Sequence, residues 1–297
     1  MKLCAACSQV LPKEKFSKKQ WKLKQPRRCK ECIADNREVE LEGDDDEPTL
    51  SCAPSEGTPC WSDEDLFKQP PPTDECPICL LQLPIKKRGE SFYSCCGKTI
   101  CDGCIYAAHT ADQYRLCPFC RAYQCISEGE HRERLKKRAK ANDSVAILSL
   151  GCFYACGGLG SPQNHGKAME LWLRAGELGN ATAYHNIAQY YNEGRPGVER
   201  DAEQAKYYWE LAAMGGSMLA RHNLGNMEEN AGNMNRATKQ FMIAARAGLD
   251  DSLSRIRQCF VNGHATKDDF EQALRAHKES NDETKSDQRD KAAAFHS

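Results

Sequence analysis

Long apolar runs are absent. Nowhere do about 18 apolar residues follow one another, so no membrane span is expected. Net charge is nearly absent too. Lys and Arg number 41 and Asp and Glu 42, for a net of -1, which gives no global attraction for nucleic acid or lipid. The first residues, MKLCAACSQVLPKEKF, lack the apolar stretch and small-residue cleavage site of a secretory leader. The expected location is therefore the cytoplasm or the nucleus, where thiols stay reduced. No Ser-His-Asp arrangement, Walker motif or dinucleotide fingerprint is visible, so no catalytic residue is nominated.

What is present in excess is cysteine: 18 residues in 297, twelve of them in Cys-x2-Cys pairs or beside one. In a reducing compartment, thiols at that spacing read as zinc ligands rather than disulfide partners. Charge is also sharply segregated. Residues 1–40 carry 11 Lys and Arg against 5 Asp and Glu, whereas 42–75 carry 11 acids and only Lys68 as a cation.

These shifts divide the chain into six parts. Residues 1–40 form a basic Cys4 zinc module. Residues 41–72, acidic and containing Pro, read as a disordered linker. Residues 73–125 hold a second cysteine cluster, and 126–142 a basic connecting helix that either carries a nuclear address or is simply solvated. Residues 143–277 are helical repeats, and 278–297 a polar, disordered tail. The expected fold is multidomain: two small zinc-stabilised modules followed by an all-α helical-hairpin solenoid.

The repeat rests on two stripes. Ala146-x3-Leu150-Gly151, Ala183-x3-Ile187-Ala188 and Ala220-x3-Leu224-Gly225 recur every 37 residues. Ala168-x3-Trp172-x2-Ala175, Ala205-x3-Trp209-x2-Ala212 and Ala237-x3-Phe241-x2-Ala244 follow them. Spacings of i, i+4 and i+7 put each set on one helix face. Asn164, Asp201 and Asn233 stand at the N-cap before each second helix. Ser252, Ile256, Ala273 and Leu274 mark a degenerate fourth unit. The stretch Ala183-x3-Ile187-Ala188-x2-Tyr191-x2-Gly194-x2-Gly197-Val198-x2-Asp201 resembles the Sel-one-like repeat, a relative of the tetratricopeptide repeat. Such arrays present an extended face to a protein partner and fold without metal. Tyr184, Tyr190, Tyr191, Tyr207 and Tyr208 either line a peptide groove or pack between units. Cys152 and Cys156 read as core-facing thiols. The bland alternative to a recruiting role is that the repeats only stiffen the chain, with His185 and His222 as ordinary surface residues.

The second cluster runs Cys76-Pro77-Ile78-Cys79, then Cys95-Cys96-x4-Cys101-x2-Cys104, then Cys117-Pro118-Phe119-Cys120-Arg121. Eight thiols fill two tetrahedral sites. A segment this short cannot bury enough apolar surface to fold alone, and a structural zinc supplies roughly 10–16 kcal/mol. Order and spacing resemble a RING finger. The resemblance implies a cross-brace, with Cys76, Cys79, Cys101 and Cys104 on one zinc and Cys95, Cys96, Cys117 and Cys120 on the other. Lys98 stands where that family usually has a ligating His, and an ammonium cannot ligate. Cys95 beside Cys96 is the simplest replacement, with His109 and Cys125 as alternatives. The resemblance further implies a ubiquitin ligase without a nucleophile of its own. Ile78 and Pro118 would line the groove for a ubiquitin-conjugating enzyme, and Arg121 would bridge enzyme and ubiquitin.

The N-terminal pairs Cys4-x2-Cys7 and Cys29-x2-Cys32 suit one further zinc, giving about three structural ions per chain. This module resembles the Stc-one type, which implies protein contacts. Its nine basic residues between Cys7 and Cys32, with Phe16 and Trp21 interleaved, suit nucleic acid or an acidic protein surface. The favoured reading makes Phe16 and Trp21 its miniature core. The main competitor to a ligase is a non-enzymatic scaffold that assembles proteins through zinc modules and repeats.

Overall fold

The two stripes become the packing seams of stacked helix pairs in the computed structural model, which describes residues 2–3, 10–11, 61–85, 89–111, 115–125, 127–158, 160 and 162–295. Contacts divide the chain into two units, 1–49 and 50–297. In the first, strands β1 (Lys2–Leu3) and β2 (Val10–Leu11) pair antiparallel, Lys2 against Leu11. The expectations for Cys4, Cys7, Cys29, Cys32, Phe16, Trp21 and residues 41–60 lie outside the described residues.

The second unit begins with the one-turn helix α1 (Asp63–Leu66). A hairpin of β3 (Glu90–Tyr93) and β4 (Lys98–Cys101) follows, then α2 (Asp102–Thr110). Helix α3 (Glu128–Lys140) leads into four helix pairs. These are α4 (Ser144–Cys156) with α5 (His165–Glu177), and α6 (Ala181–Glu193) with α7 (Ala202–Met214). Then come α8 (Met218–Asn230) with α9 (Met234–Arg246), and α10 (Asp250–Val261) with α11 (Lys267–Thr284). Helix α12 (Asp287–Phe295) closes the chain's described part.

Every stripe residue named above in the first three units is buried. The small positions have a steric cause. A Cβ on Gly151 would come within 2.6 Å of the Trp172 ring, and one on Gly225 within 2.5 Å of Phe241. In these two units the aromatic of the second helix thus lies directly on the first helix's backbone, where close packing leaves no room for a side chain. In the fourth pair Ser252, Ile256 and Ala273 are buried, while Leu274 is half-exposed. The caps agree in part. Asn164 accepts from the Lys167 N–H at 2.8 Å and Asp201 from the Gln204 N–H at 3.0 Å. Asn233 makes no such bond; its amide nitrogen donates to Glu228 Oε2.

Four expectations are corrected. Of the linker 41–72, residues 61–72 are ordered, and Leu66 is inserted among repeat side chains. The tail 278–297 is helical through most of its length, since α11 runs to Thr284 and α12 packs on α2 through buried Ala292. Cys156 is exposed rather than core-facing, whereas Cys152 is partly buried and packs against the repeat core as expected. His185 is buried, and half-buried His222 meets Ser252 Oγ at 2.9 Å. The tyrosines pack: Tyr191 stacks on buried Tyr208, with ring centroids 5.8 Å apart.

Candidate metal centre

Two loops carry the outer thiol pairs, and the same backbone bends build both. Cys76 O accepts from the Leu80 N–H, and Cys117 O from the Arg121 N–H. Short bridges, Glu75 to Gln82 and Leu116 to Tyr123, close each loop behind its thiols. Each turn needs a left-handed residue, supplied by Leu80 at φ 60° and Arg121 at φ 62°. The inner thiols come from the β3–β4 turn and from the start of α2.

The eight sulfurs gather into two groups of four: Cys76, Cys79, Cys101 and Cys104, and Cys95, Cys96, Cys117 and Cys120. Within each group all ligand atoms lie within 4.8 Å of one another. The pairs interleave along the chain, first with third and second with fourth. Sulfur separations are 3.9 Å for Cys76–Cys104, 3.7 Å for Cys79–Cys101, 3.7 Å for Cys96–Cys117 and 3.5 Å for Cys95–Cys120. A tetrahedral zinc with Zn–S near 2.3 Å has ligand edges of about 3.8 Å, so these sets fit such an ion. They do not fit disulfides, which need sulfurs at about 2.05 Å.

Electrostatics asks for a cation as well. Burial holds Cys95, Cys96, Cys101 and Cys104 above the ordinary thiol range, Cys96 at about 11. Burial also opposes ionisation of Cys76, but the N–H groups of Cys101, Cys79 and Ile78 bring it to about 7. Four adjacent thiols cannot all ionise alone, and a dication makes the thiolates favourable. Among the described residues, the module's buried core holds only Leu83 and Ile100 besides its thiols. Apolar burial on that scale does not hold a fold.

Of the alternatives for the eighth ligand, His109 is exposed on α2 and belongs to neither group. Cys125 lies 3.8 Å from both Ser94 Oγ and His131 Nδ1, also outside both groups. Ile78 and Arg121 are exposed and Pro118 half-buried. Leu80, Phe119 and Tyr123 extend the exposed apolar surface on the same two loops.

Two arginines beside the thiols escape sequence reasoning. Arg138 of α3 donates from Nε to Ser94 O at 2.6 Å and from Nη2 to Cys95 O at 3.2 Å. Asp143 holds its Nη1 at 2.9 Å. Arg289 of α12 donates to the carbonyls of Gln82 at 2.7 Å and Leu81 at 3.3 Å, and to Cys79 Sγ at 3.6 Å. In the sequence both are ordinary basic residues of polar segments.

Comparison with known proteins bears on the helical part. Residues 144–180 and 181–217 match the Sel1 repeat model, so this part is a helical solenoid of Sel1 type. No RING or zinc-finger family model is matched. Chitin synthase regulatory factor 4 of Schizosaccharomyces pombe is 28% identical over 131 residues, 44% of this chain and 21% of that protein. Chitin synthase regulatory factor 2 of the same yeast is 28% identical over 150 residues, 46% of this chain and 29% of that protein. The chain thus spans less than a third of either relative's length. A Sel1 repeat protein from Oxalobacter formigenes superposes with TM-score 0.47 at 22% identity, covering 61% of this chain and 71% of its own. Among the described residues no helix is long and apolar enough to cross a membrane.

Proposed function

We propose that the chain is a zinc-binding, RING-type ubiquitin ligase whose cysteine module docks a ubiquitin-conjugating enzyme and whose Sel1 repeats recruit a protein partner. The observation that carries the reading is the interleaved pairing of eight thiols, with Ile78, Pro118 and Arg121 on the two outer loops. The zinc ions hold those loops in register. Catalysis then consists of positioning: the charged enzyme is held in a reactive geometry, and no nucleophile is needed. Residues 1–40 contribute a second zinc module and the third zinc ion, and the chain works in the cytoplasm or the nucleus. An autoubiquitination assay with a panel of conjugating enzymes tests this. Transfer is expected with at least one of them, and its loss with Ile78→Ala and with Arg121→Gly, which keeps the left-handed backbone. Silence across the panel would sink the ligase reading.

The similarity to two proteins named regulatory factors favours a second reading. In it the same zinc module and repeats assemble a complex without transferring ubiquitin. Zinc content is the same in both, so transfer alone separates them.

A further inference from the structure

Residues 61–72, Trp-Ser-Asp-Glu-Asp-Leu-Phe-Lys-Gln-Pro-Pro-Pro, lie on the repeats as a bound peptide would. Ser62 opens α1 by accepting from the Asp65 N–H at 3.2 Å, and three acids fill the first turn. Pro70, Pro71 and Pro72 prevent the helix from continuing. A single turn does not persist in water on its own, so the repeats must hold this one. Leu66 is 1% exposed and belongs to the repeat core. Arg236 pairs with Asp63. Arg236 and Lys239 stand over the Phe67 ring, 5.6 Å and 5.2 Å from its centre.

The anchor is Arg221 of α8, itself 1% exposed. Its Nη1 donates to Leu66 O at 2.9 Å and to Gln240 Oε1 at 3.2 Å, and its Nη2 to Lys68 O at 3.4 Å. Among the described residues its Nε has no partner and no carboxylate pairs with it. A buried guanidinium held only by neutral groups is expensive in desolvation. A surface built merely to cover Leu66 would do better with an apolar side chain there. Gripping two main-chain carbonyls, those of Leu66 and Lys68 on either side of Phe67, is instead how an arginine reads a peptide backbone. The flanking cations then select acids, and the core selects leucine.

We infer that this face of α8 and α9, centred on Arg221, Arg236 and Lys239, is a docking surface for a partner segment with an N-capped acidic turn ending in Leu-Phe, and that residues 61–72 hold it in cis. The inference deepens the recruiting role given to the repeats above and rests on it. The tethered copy competes at an effective concentration of order millimolar, so a partner binds only by displacing it. Displacement frees the segment that leads directly into the cysteine module.

The probe is a labelled synthetic peptide of residues 61–72, titrated into the full chain. Two opened forms are used: Leu66→Asp, and Asp63→Arg, whose altered side chain is half-exposed and does not threaten the fold. Both should bind the peptide at least about tenfold more tightly than wild type, because the cis competitor is weakened. Adding Arg221→Met, or the surface change Arg236→Ala, to the Asp63→Arg form should lose that gain. Equal binding by wild-type and opened chains, or none by the opened chains, overturns the inference. Binding that survives both Arg221→Met and Arg236→Ala overturns this surface but leaves recruitment by the repeats standing. The ubiquitin-transfer assay does not use this surface, so the two readings fail separately.

Discussion

Arg289 donates to the sulfur of Cys79 across 210 residues of sequence. The contact brings the last described helix onto the first thiol group. Gly103, at the start of α2, makes room for it: a Cβ there would lie 2.8 Å from the Arg289 backbone N. A donor to a metal-bound thiolate offsets its negative charge and fixes its orientation, and loss of such partners commonly weakens metal binding ten- to a hundredfold. Arg289→Leu should therefore release one zinc to a chelator about tenfold faster and leave the other unchanged. Release that is uniformly faster, or not faster at all, would remove this role.

Arg138 acts on the second group through the main chain, by holding the carbonyls of Ser94 and Cys95. Arg138→Ala should speed release from the Cys95, Cys96, Cys117, Cys120 group while sparing the other. Gly97, at φ 68°, would carry a Cβ only 2.1 Å from Arg138 Nη1. Gly97→Ala should then reproduce the Arg138→Ala phenotype in the same two-phase chelator assay.

Complete metal removal should unfold the cysteine module and spare the repeats. Among the described residues the module buries two apolar side chains beyond its thiols, while the repeats bury continuous Ala and aromatic seams. Circular dichroism after chelation should keep most of its helical signal. The amides of β3 and β4 should lose hydrogen-exchange protection. Collapse of the helical signal would mean that the solenoid depends on the metal module.

The seams themselves can be overfilled. Gly151→Val would drive two methyl groups into the Trp172 ring, a contact already closed to a single Cβ. Overpacking of this kind typically destabilises by about 1–3 kcal/mol. Urea denaturation should show that loss in the repeat transition, with zinc stoichiometry unaltered.

His222 supplies a pH test. Burial holds its pKa below the ordinary 6.5, with Arg255 adding to the effect and Asp251 opposing it. The unfolded chain therefore binds the proton first. The stabilisation is complete above pH 6.5 and is lost progressively as pH falls from there through the lower folded-state pKa. Glu177 and Glu210 are raised by burial and act in the opposite sense, so total stability mixes the two. The stability of wild type minus that of His222→Gln isolates the histidine and should decrease from pH 7 to pH 5. A flat difference would show that His222 keeps its ordinary proton affinity.

The repeat was legible because its information is local. A small residue followed by an apolar or aromatic one four positions later acts through helix periodicity, and a buried face leaves that pattern in any single helix. Asn233 shows the limit: it stands at the cap position, yet a neighbouring carboxylate, Glu228, takes its amide. The ordering of residues 61–72 and 287–295 is not legible for a related reason. Residues 61–72 and 287–295 are polar on average, and composition cannot reveal that one leucine or one arginine will be inserted elsewhere.

By itself the sequence determined which residues can do chemistry: eight thiols at ligand spacing, and helices with one face to bury. It did so because thiol spacing and helical period are properties of short segments. Only the tertiary structure decided that Cys95, rather than His109 or Cys125, joins the second group. Only the fold seated Leu66 on Arg221 and brought Arg289 to Cys79. Those pairings join residues 155 and 210 positions apart, and they follow from how whole helices stack, which no local pattern encodes.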